Sequence, residues 1–339
     1  MCLSFGISKF ELRNTRLRFI HLSLKGCKIM SKYMLLGKFR DNDGTEKRVH
    51  QTPNGIIEIT DVMNKRHKKA QVLCVPTHHY CNLGCKFCHL TEENDNTLKM
   101  IPILPEDLMS VLNITSRKVL LSFMGVGEPL LNINLIIETY KKLQPNYTVN
   151  LALATMMPVV NPLRALIGES LPLKIHFSLH STLDEIRSKI IPSAKMSILE
   201  CLQELANYRT IVQMRHSVIE NMHRFHQTDS PIEIHYTIIE NINDSDAELT
   251  RLLEYGDMFK IPLKILKFNP TKSLKRSSRE QYWLKVLKSK YKASVRFYDP
   301  PGGNIGSSCG QFTKHYYITN EFKRDIDEFE TWKQKYQVV

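Results

Sequence analysis

Cysteines stand at Cys81, Cys85 and Cys88, a C-x3-C-x2-C spacing within one short stretch. Three thiolates in one loop can grip three irons of a [4Fe–4S] cubane and leave the fourth iron open, which a reactive cluster requires. Two other readings use the same residues. Cys85-x-x-Cys88-His89 matches the attachment pattern of a c-type haem, but that pattern belongs to exported chains and the sequence has no apolar export signal. Cys81, Cys85, Cys88 and His89 offer a zinc set, although adjacent Cys88 and His89 do not easily turn to one tetrahedral ion. With 8 cysteines in 339 residues, a disulfide scaffold is excluded.

Short apolar runs must position these groups. From Gln71 onward the strand candidates are QVLCV, KVLLSFM (118–124), VNLALA (149–154), KIHFSL (174–179), IEIHYTII (232–239) and PLKILKF (262–268). Helical patterns lie between them at 105–114, 132–143, 162–167, 198–208 and 245–259. Buried strands alternating with helices predict βαβ units around a parallel sheet. The expected fold class is therefore α/β, a partial (β/α)6 barrel, with its chemistry at the C-terminal ends of the strands. A small β element precedes it: LLGKF and EKRVH flank an Asp41-Asn42-Asp43-Gly44 turn, and GIIEI follows Pro53-Asn54-Gly55. The expected organisation is a basic leader over 1–33, the β element and basic linker over 34–70, the barrel and a C-terminal catalytic loop over 71–317, and a last helix within 318–339.

The strand ends carry further polar groups. After the second barrel strand comes Phe123-Met-Gly-Val-Gly127-Glu128-Pro129, where glycine lets backbone approach a ligand and Glu128 can hold an ammonium group. After the fourth comes Ser178-Leu179-His180, and after the sixth Asn269-Pro270. Singly each is weak, since Glu128 reads equally as a satisfied loop carboxylate and His180 as a core histidine. In register at strand ends they describe one pocket.

Lys plus Arg number 47 and Asp plus Glu 34, a net charge of +13. Residues 260–296 hold twelve basic residues against Glu280 alone. Such a run is either a solvated helix face or a surface for a polyanion such as RNA. Tyr282, Trp283, Tyr291, Phe297 and Tyr298 lie within it and read first as core. The leader holds seven Lys/Arg against Glu11; it reads as an upstream extension before a start at Met30 or Met34, the alternative being an organellar transit peptide. No run is long and apolar enough for a membrane span, so the expected location is the cytoplasm, or an organelle if the leader targets one.

The motifs together resemble a family. C-x3-C-x2-C is the signature of radical S-adenosylmethionine (SAM) enzymes. FMGVGEPLLN (123–132), SLHSTLDEIRSKIIP (178–192), YTIIENINDSDAEL (236–249), LKFNP (266–270) and CGQF (309–312) resemble the RNA adenosine methyltransferases of the RlmN/Cfr type over about Tyr33 to Tyr317. The resemblance implies a [4Fe–4S] cluster on Cys81, Cys85 and Cys88, and SAM held by Gly127, Glu128, Ser178, His180 and Asn269. It implies that Cys309 carries a methyl group from one SAM, and that a second SAM supplies the radical that activates it for addition to adenine carbon 2, preferred over carbon 8. A glutamate in the small β element, Glu58 here, removes the ring proton. Cys74 then attacks the Cys309 sulfur, forming a disulfide and releasing methylated rRNA or tRNA. A flavodoxin- or ferredoxin-type partner would reduce the cluster, a further reductant the disulfide, and a monomer is expected.

Departures from the family leave other substrates on the same scaffold, or a zinc-held RNA-binding module, as alternatives. The family's Ser-x-Gln-x-Gly reads Pro76-Thr77-His78-His79-Tyr80 here, Ala152 replaces a SAM-contacting serine, the family's N-terminal RNA-binding domain has no counterpart, and 209–231 is longer. Cys2, Cys27 and Cys201 match nothing.

Overall fold

The computed structural model describes residues 33–63, 70–91, 99–215, 230–271, 273–302 and 313. The leader, the linker lysines, most of 209–231, Lys272, Cys309 and the expected last helix lie outside the described residues.

Ten strands form one open sheet in chain order. β1 (Met34–Arg40), β2 (Glu46–Thr52) and β3 (Gly55–Asp61) are antiparallel hairpins, the predicted small β element. The first turn forms where Asp41-Asn42-Asp43-Gly44 demands it. Gly44 sits at φ +91°, a conformation that disfavours any side chain, and Thr45 N–H donates to Asp43 Oδ1 at 2.7 Å. β3 pairs antiparallel with β4 (Gln71–Cys74), so the element continues the barrel sheet.

From β4 the sheet is parallel: β5 (Lys118–Phe123), β6 (Thr148–Thr155), β7 (Leu173–Ser178), β8 (Ile232–Thr237), β9 (Leu263–Leu266) and β10 (Val295–Tyr298). The six predicted strands are β4 to β9, and β10 adds a seventh. Parallel neighbours need crossovers. These carry α1 (Pro105–Val111), α2 (Ile133–Leu143), α3 (Asn161–Gly168), α4 (Asp184–Ile190), α5 (Ile198–Gln213), α6 (Asp246–Phe259) and α7 (Glu280–Lys290). α1 opens on Pro105 with Glu106 and Asp107 in its first turn, as expected at a positive dipole end. Asp107 is buried and accepts from Tyr33 Oη and Asn54 Nδ2, each at 2.9 Å, fastening the β element to the first crossover.

Alternation along the strands separates two faces. Leu73, Leu121, Leu151, Ile175, Ile234 and Ile265 face one core shared with the helices, which hold Leu135, Leu202, Leu252 and Trp283 there. Every described helix with residues in that core lies on the same side. The other face is the inner one, and it divides by chemistry. Val72, Leu120 and Ala152 make an apolar wall, whereas β7 to β10 present Lys174, His176, Glu233, His235, Lys264 and Arg296.

The basic run 260–296 is not one surface. Arg276 forks to Glu280, Arg279 pairs with Asp246, Arg296 pairs with Glu233, and Lys267 meets Asp299 at 2.8 Å. Lys264 Nζ lies 4.2 Å from the centre of the Tyr298 ring. Trp283 is buried and stacks on Tyr236 at 5.6 Å; Tyr291 is also buried, and Tyr282 is half exposed. The exposed cations are Lys260, Lys275, Lys285, Lys288, Lys290 and Lys292. No described helix is long and apolar enough to cross a membrane.

Candidate active site

Cys74, Cys81, Cys85, Cys88, Gly127, Glu128, Ser178, His180 and Asn269 lie at or just beyond the C-terminal ends of the parallel strands, Glu58 lies on β3, and Cys309 lies outside the described residues. The cysteine loop leaves β4 and is pinned at several points. Lys86 N–H donates to Ile190 O at 2.9 Å, Ser193 Oγ to Leu83 O at 2.7 Å, and Cys88 N–H to Cys85 O at 3.0 Å. Gly84 takes φ +80° between the first two cysteines. Cys81 and Cys88 pack on Tyr80, Leu90 and Val126, and Cys85 on Met156 and Ile190.

The cysteines face one another and Glu128. Burial first, then repulsion from Cys88, pushes the Cys81 thiol up to about 12; the same causes and Cys81 itself push Cys85 well above its usual value, and Glu128 raises both. The Gly127 N–H also bonds the Cys81 sulfur. None of the three forms a disulfide among the described residues. Three convergent sulfurs with no bridge between them fit a trithiolate cluster site, and binding iron would displace their protons.

Glu128 ends the loop after β5. Its side chain caps the short 3-10 turn Pro129–Leu131, accepting from Leu130 N–H at 3.1 Å. It also accepts from Thr155 Oγ1 at 2.6 Å and Met156 N–H at 3.1 Å. Burial raises its carboxyl to about 7 despite these donors; a cation beside it would favour the ionised form.

Gly127 sits at φ +107°, where a Cβ would stand 2.4 Å from His78 Nδ1 and 2.5 Å from Thr77 Oγ1. Gly127→Ala is therefore expected to lower stability by about 1–3 kcal/mol and to weaken SAM binding. Thermal denaturation and equilibrium dialysis with SAM check this, and wild-type values in both would show that the loop tolerates the methyl group.

Ser178 ends β7 on the inner face. His180 follows at φ +54° and is buried. Its Nδ1 accepts from Thr237 N–H at 3.2 Å, its carbonyl accepts from Asn243 Nδ2 at 2.6 Å, and its ring meets Phe87 of the cysteine loop edge-on at 4.6 Å. Burial, then Arg187, pushes its imidazole down to about 3, so it is neutral. Asn269 lies just beyond β9 and is partly buried.

Cys74 ends β4 on the inner face, in register with Thr60 on one side and Ser122 on the other. Glu58 shares that face two residues before Thr60. It is buried, lies 2.6 Å from Lys47 Nζ, and accepts from the Thr313 backbone N–H, four residues beyond Cys309. His78 and His79 are both buried; His78 packs against Gly127, and His79 Nδ1 lies 3.1 Å from Ile56 O of β3.

Sequence reasoning missed Arg187. Its guanidinium is buried on α4 and bonds Met156 O at 2.7 Å, Leu179 O at 3.1 Å and Ser178 O at 3.2 Å. One side chain thereby ties the loop that donates to Glu128 to the loop that carries Ser178 and His180. The only signal was its place inside SLHSTLDEIRSKIIP.

No family model matches the chain. It is similar to the probable dual-specificity RNA methyltransferase RlmN of Clostridium novyi, 25% identical over 82% of this chain and 78% of that one. The dual-specificity RNA methyltransferase RlmN of Ruegeria pomeroyi is 26% identical over 84% and 74%. Among solved structures, a radical SAM methyltransferase from Sphaerobacter thermophilus shares the fold, with TM-score 0.65, 20% identity, and 83% and 81% of the two chains covered. With the motifs in register at the strand ends, the chain is similar to the RlmN RNA methyltransferases and shares the fold of a radical SAM methyltransferase.

Proposed function

We propose that the protein methylates an adenine ring carbon, carbon 2 in preference to carbon 8, in rRNA or tRNA. The observation that supports this best is the convergence of Cys81, Cys85 and Cys88 with Glu128, beside an inner face that also carries Cys74 and Glu58.

Adenine carbons 2 and 8 are electron-poor and do not attack a methyl sulfonium directly. The cluster with SAM supplies one-electron chemistry that avoids this barrier. In this reading Glu128, Gly127, Ser178, His180 and Asn269 bind and orient SAM, and Arg187 fixes the loops that carry them. Cys309 holds the methyl group that joins the base. Glu58, held by Lys47, takes the ring proton. The Cys74 thiolate attacks the Cys309 sulfur, so the carbon–sulfur bond breaks as a disulfide forms, and the two electrons of its reduction come from an external reductant. This chemistry requires a reducing compartment. Mass spectrometry of adenosines from cells with and without the gene tests the reading; identical methyladenosine content would refute it.

RNA is proposed to meet the exposed lysines that line α7 and its end. Phosphate contacts release counterions, so log affinity should fall linearly with log salt. Combined Lys285→Glu, Lys288→Glu and Lys292→Glu is expected to flatten that slope in filter-binding titrations. An unchanged slope would make these lysines an ordinary solvated face.

A further inference from the structure

A second constellation stands on the inner face, away from the cysteines. His176 and Glu233 are paired across β7 and β8, and His235 follows opposite Ser178. All three side chains are buried, and one ligand atom from each lies within 4.8 Å of the others. Glu233 Oε2 is 3.0 Å from His176 Nδ1 and 3.9 Å from His235 Nε2. His176 Nδ1 and Glu233 Oε2 form a close pair, Lys174 Nζ stands 3.6 Å from the same oxygen, and none of His176 Nδ1, Glu233 Oε2 and His235 Nε2 completes an aligned hydrogen bond among the described residues. Three buried polar atoms left this way call for a shared occupant.

Charge and lone pairs decide which. Both imidazoles are buried, and a neutral imidazole offers one ring nitrogen with a lone pair. Arg296 at Oε1 and Lys174 Nζ, 3.6 Å from Oε2, hold the Glu233 carboxylate ionised. An ionised carboxylate oxygen only accepts, so an anion is excluded from the centre. Arg296 engages the other carboxylate oxygen, Oε1, as outer partners of metal-bound carboxylates do.

We propose that His176, His235 and Glu233 bind one divalent transition-metal ion of the zinc type, through two imidazole nitrogens and one carboxylate oxygen, with a coordination position left open. Ligand atoms about 2.0–2.2 Å from a tetrahedral ion stand about 3.3 Å apart, and the observed 3.0 and 3.9 Å bracket that separation. Lys174 is the competitor, with Nζ 3.6 Å from Glu233. Lys264 stands over Tyr298.

The test uses full-length protein with its cluster reconstituted, dialysed against zinc and examined by X-ray absorption at the zinc edge, where iron does not interfere. One zinc per chain is expected, with nitrogen and oxygen neighbours at about 2.0–2.1 Å and no sulfur at about 2.3 Å. His176→Leu with His235→Leu should lose it at unchanged iron content. Lys174→Met should bind zinc about tenfold more tightly, because a like charge is gone. A sulfur shell, or no stoichiometric zinc in both wild type and Lys174→Met, would overturn the proposal and leave a buried water as the occupant.

Discussion

Cys74→Ala protein is expected to purify with RNA covalently attached, whereas Cys309→Ala protein is expected to purify bare. In the proposed chemistry Cys309 carries the methyl group, so without it no carbon–sulfur bond to RNA can form. Cys74 acts last, and its position suits that role: it ends β4 on the inner face, between Thr60 and Ser122. Its loss lets addition proceed and blocks release. A thioether does not hydrolyse unaided, so the adduct should survive a denaturing gel and shrink to a short tag under ribonuclease. Structural cysteines would behave otherwise, giving two variants weaker by about 1–3 kcal/mol and nothing more. RNA-free Cys74→Ala alongside active wild type would remove both assigned roles.

Alanine at Cys81, Cys85 or Cys88 is expected to abolish iron–sulfur assembly and SAM cleavage in each single variant. The three thiols face one another, and no fourth cysteine shares their loop. A site with three protein ligands has none to spare. The fold should survive, because the loop is pinned through Ile190 and Ser193 rather than through its sulfurs. Iron content, visible absorption and release of 5′-deoxyadenosine are the readouts, with circular dichroism as the control. Full iron content in any one variant would disprove the ligand assignment.

The parallel sheet was legible because β5 and β6 are mainly apolar runs, β7 to β9 alternate apolar with polar residues, and helical patterns lie between them. α4, α7 and β10 were not. α4 spells DEIRSKI and buries Arg187 and Ile190, and no hydropathy pattern ranks a buried arginine as core. α7 and β10 were hidden by their own lysines and arginines, whose long stems leave the helix just enough apolar face, Trp283, Leu284 and Leu287, to pack. The cysteine spacing announced its chemistry directly. The His176–Glu233–His235 group did not, since its members belong to two strands 57 residues apart in the chain and meet only through the register of β7 with β8.

The backbone N–H of Thr313 holds Glu58, and that of Gly302 donates to Asp43 at 2.9 Å, so both ends of the segment bearing Cys309 are moored to the small β element. Four residues of chain, at most about 3.6 Å each, separate Cys309 from Thr313, a leash of about 14 Å. A thiol so confined meets its neighbours at an effective concentration in the millimolar range or above. On the proposed chemistry, exchange with Cys74 then outpaces attack by thiols in solution, and the leash protects the transfer from premature reductants.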